Sequence, residues 1–176
     1  TYDIAFETVT DGDTVTAGDA TIETIAAPGH TSGMTAYLID NEIILTGDTL
    51  FIDNVARPDL EAGDEGASEA AAQLYETLQE RILTLPDEVL VGAAHVGTQT
   101  KPRADDSYVA TLGAVQDELD LLSAEKAEFV EQILSNMPPQ PANFEEIIDI
   151  NLGKMTADAD EAFELELGPS NCAASA

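Results

Sequence analysis

A mixed α/β domain is the fold class this sequence predicts, and three observations predict it. Residues 2 to 47 set short apolar runs between turn residues at strand spacing. A helix-period segment and a further apolar strand follow, over about 68–83 and 89–94. From about residue 107 the apolar residues recur at helical spacing.

Ile4, Phe6 and Val9 open the first strand and Asp11-Gly12-Asp13 turns it. Thr14 to Ala17 leads through a Gly18-Asp19 turn into Ala20 to Ala26. Pro28-Gly29 breaks the run, Met34 to Asp40 resumes it, and Asn41-Glu42 turns the chain into Ile43 to Thr46. That last strand is apolar throughout, so it is expected to be buried on both faces. Loop residues 28–33 and 47–49 then sit at strand ends.

A Gly- and Asp-rich connection covers 59–66, after which Ser68 is placed to cap a helix running to about Leu83. Its apolar face is Ala72, Leu74, Tyr75, Leu78 and Ile82, and Pro86 ends it. Val89 to Ala94 is a buried strand and Lys101 to Asp106 a polar loop. Helices are predicted over about 107–121 and, behind Ser123, over 124–135, until Met137-Pro138-Pro139 interrupts. Asn143 with Glu146 resembles a capping box opening a short helix that ends near Gly153. From about Thr156 the chain is small and acidic, with no helix assigned, and is expected to lie loosely on the surface. No internal repeat is found.

The 176 residues suffice for a single domain. No apolar stretch approaches the roughly 20 residues that cross a bilayer, so a soluble protein is expected. Asp and Glu number 35 against 6 Lys and Arg, a formal net charge of −29. The acids are dispersed among Val, Ile and Leu rather than gathered in a tail, which argues for a folded chain with an acidic surface. Self-repulsion of that size is screened within about 3 Å at 1 M salt. The reading is a halophile's cytoplasmic surface, with an ordinary acidic protein as the alternative. Nucleic acid and anionic membrane are excluded as partners, since both require clustered Lys and Arg. The single cysteine, Cys172, allows no internal disulfide, fits a reducing compartment, and reads as a tail residue rather than a nucleophile.

Only two histidines are present. His30 follows Pro28-Gly29 at one strand end, His95 follows Ala93-Ala94 at another, and Asp48 follows Gly47 at a third. Strand-end loops are where a rigid sheet presents ligands. Taken singly, each residue also has a plain reading as a solvated loop histidine or a turn-capping aspartate.

Ala27-Pro28-Gly29-His30-Thr31-Ser32-Gly33-Met34-Thr35 resembles the glycine-histidine-threonine motif of the metallo-β-lactamase superfamily. Leu45-Thr46-Gly47-Asp48-Thr49-Leu50-Phe51 resembles its bridging-aspartate motif, eighteen residues on. The resemblance implies that His30 and Asp48 are metal ligands and that His95 matches the late histidine serving a second metal in binuclear members. Relatives often carry Asp and an aromatic residue after that histidine, where this chain has Val96 and Gly97, which counts against a second metal. Asn54-Val55-Ala56-Arg57-Pro58-Asp59-Leu60, with its Arg-x-Asp element, resembles the persulfide dioxygenase branch more than the glyoxalase II thioesterases. Met137-Pro138-Pro139 and residues 143–153 resemble that branch's C-terminal segment.

The resemblance implies an αββα sandwich, of which residues 1–155 would supply the second sheet, covering helices and C-terminal helical segment, with 156–176 a tail. The superfamily's first ligand cluster, His-x-His-x-Asp-His, has no counterpart before His30, so the metal site is expected to be incomplete, an upstream part to be missing, and the chain to be inactive alone. In the parent, Fe(II) held by His30, Asp48 and an upstream histidine would oxidise a small thiol's persulfide with O₂ to sulfite. Arg57 would bind that thiol's carboxylate in a bidentate fork, or else form a structural pair with Asp59. A Zn(II) thioesterase with His95 as a ligand is the runner-up. A non-catalytic binding module that lost its site is the third reading. Pairing with a second copy, or with the missing N-terminal half, is expected to cover apolar residues such as Ile22, Leu38, Ile44 and Leu90.

Overall fold

Six strands form one sheet in chain order, as a computed structural model describes for residues 7–97, 100–140 and 143–166. β1 (Thr14–Ala17), β2 (Ala20–Ala26), β3 (Thr35–Ile39) and β4 (Ile43–Gly47) pair antiparallel in succession. β5 (Leu90–Ala93) joins β4 in parallel, and β6 (Ala110–Thr111) pairs antiparallel with β5. The parallel pair needs a crossover, supplied by α1 (Asp59–Thr77) and the π-helical turn Leu78–Ile82 that continues it.

Strand alternation divides the sheet into two unlike faces. Ile25, Ala36, Leu38, Ile44 and Val91 point to one face and are buried. Against them pack Leu74, Leu78 and Ile82 of the crossover, and α3 (Lys126–Ser135) adds Phe129 and Ile133 to the same core. Tyr75 meets Phe129 edge to face, with ring centroids 5.3 Å apart. Covered on this face, Leu38 and Ile44 are 4% and 0% exposed, which corrects the expectation that they lack cover. The opposite face carries Val15, Ile22, Ile39, Ile43 and Leu90 in one row across five strands, with Tyr37 beside Leu45 in the next. Tyr37 and Leu45 are 39% and 40% exposed, so β4 is buried on one face and not both.

Several boundaries move for identifiable reasons. α1 begins at Asp59 and not after Ser68, because Gly63 takes φ 66° and ψ 176°, a kink that joins two helical pieces over the expected connection. Residues 110–111 pair with Leu90 and Val91 instead of opening a helix. Thr111 then caps α2 (Leu112–Glu118), accepting from the Ala114 amide, and a 3-10 turn at Asp120–Ser123 precedes α3. Ser123 therefore lies in that turn, and Glu125 is the N-cap of α3. α4 (Phe144–Asn151) starts where Asn143 was expected to start it, but Asn143 is left-handed and makes no capping bond. α5 (Ala159–Glu166) forms in the segment read as loose and without a helix. Its start is a capping box: Asp158 accepts from the Asp160 and Glu161 amides, and Glu161 accepts from the Asp158 amide. The strand assigned through Ile4 and Phe6 lies outside the described residues, as does Cys172. Among the described residues no helix is long and apolar enough to cross a membrane.

Candidate metal centre

The topology explains why three residues far apart in sequence meet. β2 and β4 each lie antiparallel to β3, and β5 is parallel to β4, so β2, β4 and β5 all end at the same edge of the sheet. His30, Asp48 and His95 follow those three ends. The Nε2 of His30 lies 3.9 Å from Asp48 Oδ2, and His95 Nδ1 lies 2.5 Å from Asp48 Oδ1. His30 is buried, whereas the His95 side chain is 47% exposed. The ring of Phe51 stands beside His95, with centroids 6.5 Å apart.

Hydrogen bonding assigns the roles of the ring nitrogens. His30 Nδ1 is 2.8 Å from the carbonyl oxygen of Arg57, which can only accept, so Nδ1–H donates, and in the neutral ring the lone pair is then on Nε2, the nitrogen on the Asp48 side. A metal-binding histidine commonly gives its other N–H to a carbonyl in this way. His95 likewise donates from Nδ1 to a carboxylate oxygen. His30 and Asp48 thus fit two positions of a metal site. His95 stands as the hydrogen-bond partner of Asp48, and among the described residues no group of three His, Cys, Asp or Glu is arranged to hold a metal ion.

Three contacts fix the two ligand loops, and periodicity signals none of them. Thr49 Oγ1 donates to the Ala27 carbonyl at 3.1 Å, tying the Asp48 loop to the His30 loop. Thr77 Oγ1 donates to the Pro28 carbonyl at 2.6 Å, tying the same loop to α1. Gly29, at φ 138°, lies so close to α1 that a Cβ there would be 2.5 Å from Leu74 Cα.

Arg57 is fully buried, and of its two readings the geometry shows the pair with Asp59. Its Nε and Nη2 donate to Asp59 Oδ1 and Oδ2 at 2.7 and 2.8 Å, while Nη2 and Nη1 donate to the Pro138 and Pro139 carbonyls, each at 2.9 Å. The expected fork to a substrate carboxylate is corrected accordingly, since the guanidinium faces the protein. Burial pushes the Asp59 carboxyl up, but the hydrogen bonds and charge of Arg57 outweigh it, helped by its own backbone N–H and Gln140, and the group ends below its ordinary range. With a depressed folded-state value, its stabilising contribution is complete above the unfolded value and lost as pH falls through the folded one. Asp59→Asn is therefore expected to lower stability at neutral pH and to flatten the acid limb below about pH 4, as chemical denaturation across pH will show.

The ends of β2, β4 and β5 thus bring His30, Asp48 and His95 together at one edge of the sheet, and known proteins share this arrangement of strands and helices. No family model matches the chain. Human mitochondrial persulfide dioxygenase ETHE1 is 32% identical over 133 residues, 73% of this chain and 46% of that protein. Hydroxyacylglutathione hydrolase of Rhizobium etli is 33% identical over 97 residues, covering 54% of this chain and 34% of that one. The crystal structure of ETHE1 from Myxococcus xanthus matches with a TM-score of 0.67 at 28% identity, over 81% of this chain and 58% of that one. A metallo-β-lactamase from Staphylococcus aureus matches at 0.70 over 82% of this chain and 44% of that one, and at 23% identity it shows the fold. The chain belongs to the metallo-β-lactamase superfamily, with persulfide dioxygenases and glyoxalase II enzymes among its homologues. It spans about half the length of the curated relatives first matched.

Proposed function

We propose that this chain is part of an iron-dependent persulfide dioxygenase, in which a low-molecular-weight thiol's persulfide, O₂ and water give the thiol and sulfite. The observation that carries the reading is the meeting of His30 and Asp48 at one sheet edge, with Asp48 Oδ2 beside His30 Nε2 and Oδ1 hydrogen-bonded to His95. That fits a mononuclear site with open positions for substrate and O₂. His30 and Asp48 would hold the iron, with a further histidine from outside this chain's two. The iron, when bound, supplies the redox centre. The Arg57 carbonyl would orient the His30 ring with Nε2 toward the metal, and His95 would keep the Asp48 carboxylate oriented. The persulfide dioxygenase match also covers more of this chain than the hydroxyacylglutathione hydrolase match.

The test is turnover by the intact protein. Sulfite formed in step with O₂ uptake, with a single iron per chain and loss of both in Asp48→Asn, is expected. Thioester hydrolysis with two bound zinc ions would instead establish the hydrolase reading, and no bound metal would favour a binding module.

The same proposal extends to assembly and to salt. The outer sheet row, free of charge in a chain of net charge −29, packs against a second apolar sheet, on the same polypeptide or in a second copy. The acidic surface suits concentrated electrolyte, so the melting temperature is expected to rise between dilute buffer and molar KCl, and an unchanged value would remove that reading.

A further inference from the structure

Residues 138–140 lie more than eighty positions from Arg57, yet they close on the same buried group. The guanidinium of Arg57 holds the carbonyls of Pro138 and Pro139, and Gln140 Nε2 donates to Asp59 Oδ2 at 3.2 Å. The backbone carbonyl of this one residue accepts from His30 Nδ1. Arg57 therefore has its side chain locked by Asp59 and the 138–140 segment, and its main chain committed to a ring at the sheet edge. A carbonyl that is free to turn would let the His30 ring rotate or exchange its proton between nitrogens. The Arg57 carbonyl belongs instead to a residue with no exposure whose guanidinium is bonded to Asp59, Pro138 and Pro139, which fixes its direction.

We infer that Arg57 is a positioning residue and that the 138–140 segment is a strap, which together hold His30 in the Nδ1–H form with Nε2 toward Asp48. The inference rests on the reading of His30 as a metal ligand. Its structural half is independent, because the tautomer of His30 exists whether or not a metal binds. The strap connects α3 to α4, so the docking of the C-terminal helices is linked to the geometry of a residue on the far side of the chain's sequence. The Asp59 carboxylate is the shared anchor, held by two donors of Arg57 and by Gln140.

The experiment is long-range ¹H–¹⁵N correlation of the histidine rings in the intact, metal-free protein, followed by titration with Zn(II) as the probe. His30→Gln assigns the His30 signals by their loss from the spectrum. The wild type is expected to show His30 as a single Nδ1–H tautomer. Asp59→Asn, and separately the Pro138→Gly/Pro139→Gly pair, which leaves Arg57 and Asp59 in place, should shift His30 toward a mixture of tautomers. Both should weaken Zn(II) binding roughly 10–100-fold, the usual consequence of disturbing the partner of a ligating histidine. Two variants keep the test decisive if one of them fails to fold. A folded variant with the His30 signature and Zn(II) affinity of the wild type would overturn the inference, as would a mixed tautomer in the wild type. A tautomer shift without any Zn(II) binding in the wild type would keep the positioning role and overturn only the metal reading.

Discussion

Replacing Arg57 with leucine is expected to cost about 3–5 kcal/mol of stability, because it leaves the Asp59 carboxylate charged and buried without its partner. The Pro138 and Pro139 carbonyls lose their guanidinium donor in the same step, which adds to the cost. For a domain of this size that corresponds to a fall in melting temperature of roughly 6–20 °C. The double variant Arg57→Met/Asp59→Leu should recover much of the loss, since removing both charges avoids the unpaired one. If Arg57→Leu melts within a degree or two of wild type, the buried pair is not a structural anchor.

The second large effect is expected at Gly29. A Cβ there would lie 2.5 Å from Leu74 Cα and 2.9 Å from its amide nitrogen, both main-chain atoms of α1 that cannot swing aside. The backbone at φ 138° is also unfavourable for any residue with a side chain. Overpacking and backbone strain each cost about 1–3 kcal/mol, so Gly29→Ala should destabilise by about 2–6 kcal/mol. The helix must move away, and it carries the Thr77 bond to Pro28 with it, so His30 is displaced as well as the fold weakened. Gly33→Ala is the control in the same loop, where a Cβ meets nothing within 4 Å. Equal stability of the two variants, measured by denaturant unfolding, would show that the close approach of loop and helix carries no weight.

What the sequence disclosed follows from which interactions are local. The strands over 14–47 are legible because turn residues and alternation act within a few positions, and His30, Asp48 and His95 are legible as a set because each follows a strand end. That they meet depends on the parallel pairing of β4 with β5, which alternation alone does not reveal. Arg57 illustrates the limit. Its neighbour Asp59 is two residues away and legible as one possible partner, whereas the carbonyls of Pro138 and Pro139 lie 81 and 82 residues distant and leave no mark on the local pattern. The start of α1 is not legible because Gly63 and Gly66 suggest a loop, while one left-handed glycine merely kinks a helix there. The reading of β4 as buried on both faces took apolar composition for burial, and Leu45 remains open to solvent. The capping box at Asp158 and Glu161 has a legible spacing, but in so acidic a segment Asp and Glu three apart recur without capping a helix.

In the proposed site, His30 and Asp48 would be ligands of one metal while His95 supports the carboxylate. Anomalous diffraction at the metal edge from crystals of the intact, iron-loaded protein tests it most directly. A single anomalous peak about 2.0–2.2 Å from His30 Nε2 and from an oxygen of Asp48, with His95 hydrogen-bonded to Asp48 and outside the coordination sphere, is predicted. Two peaks bridged by Asp48 with His95 bound to one of them, or a metal nowhere near this sheet edge, would contradict it.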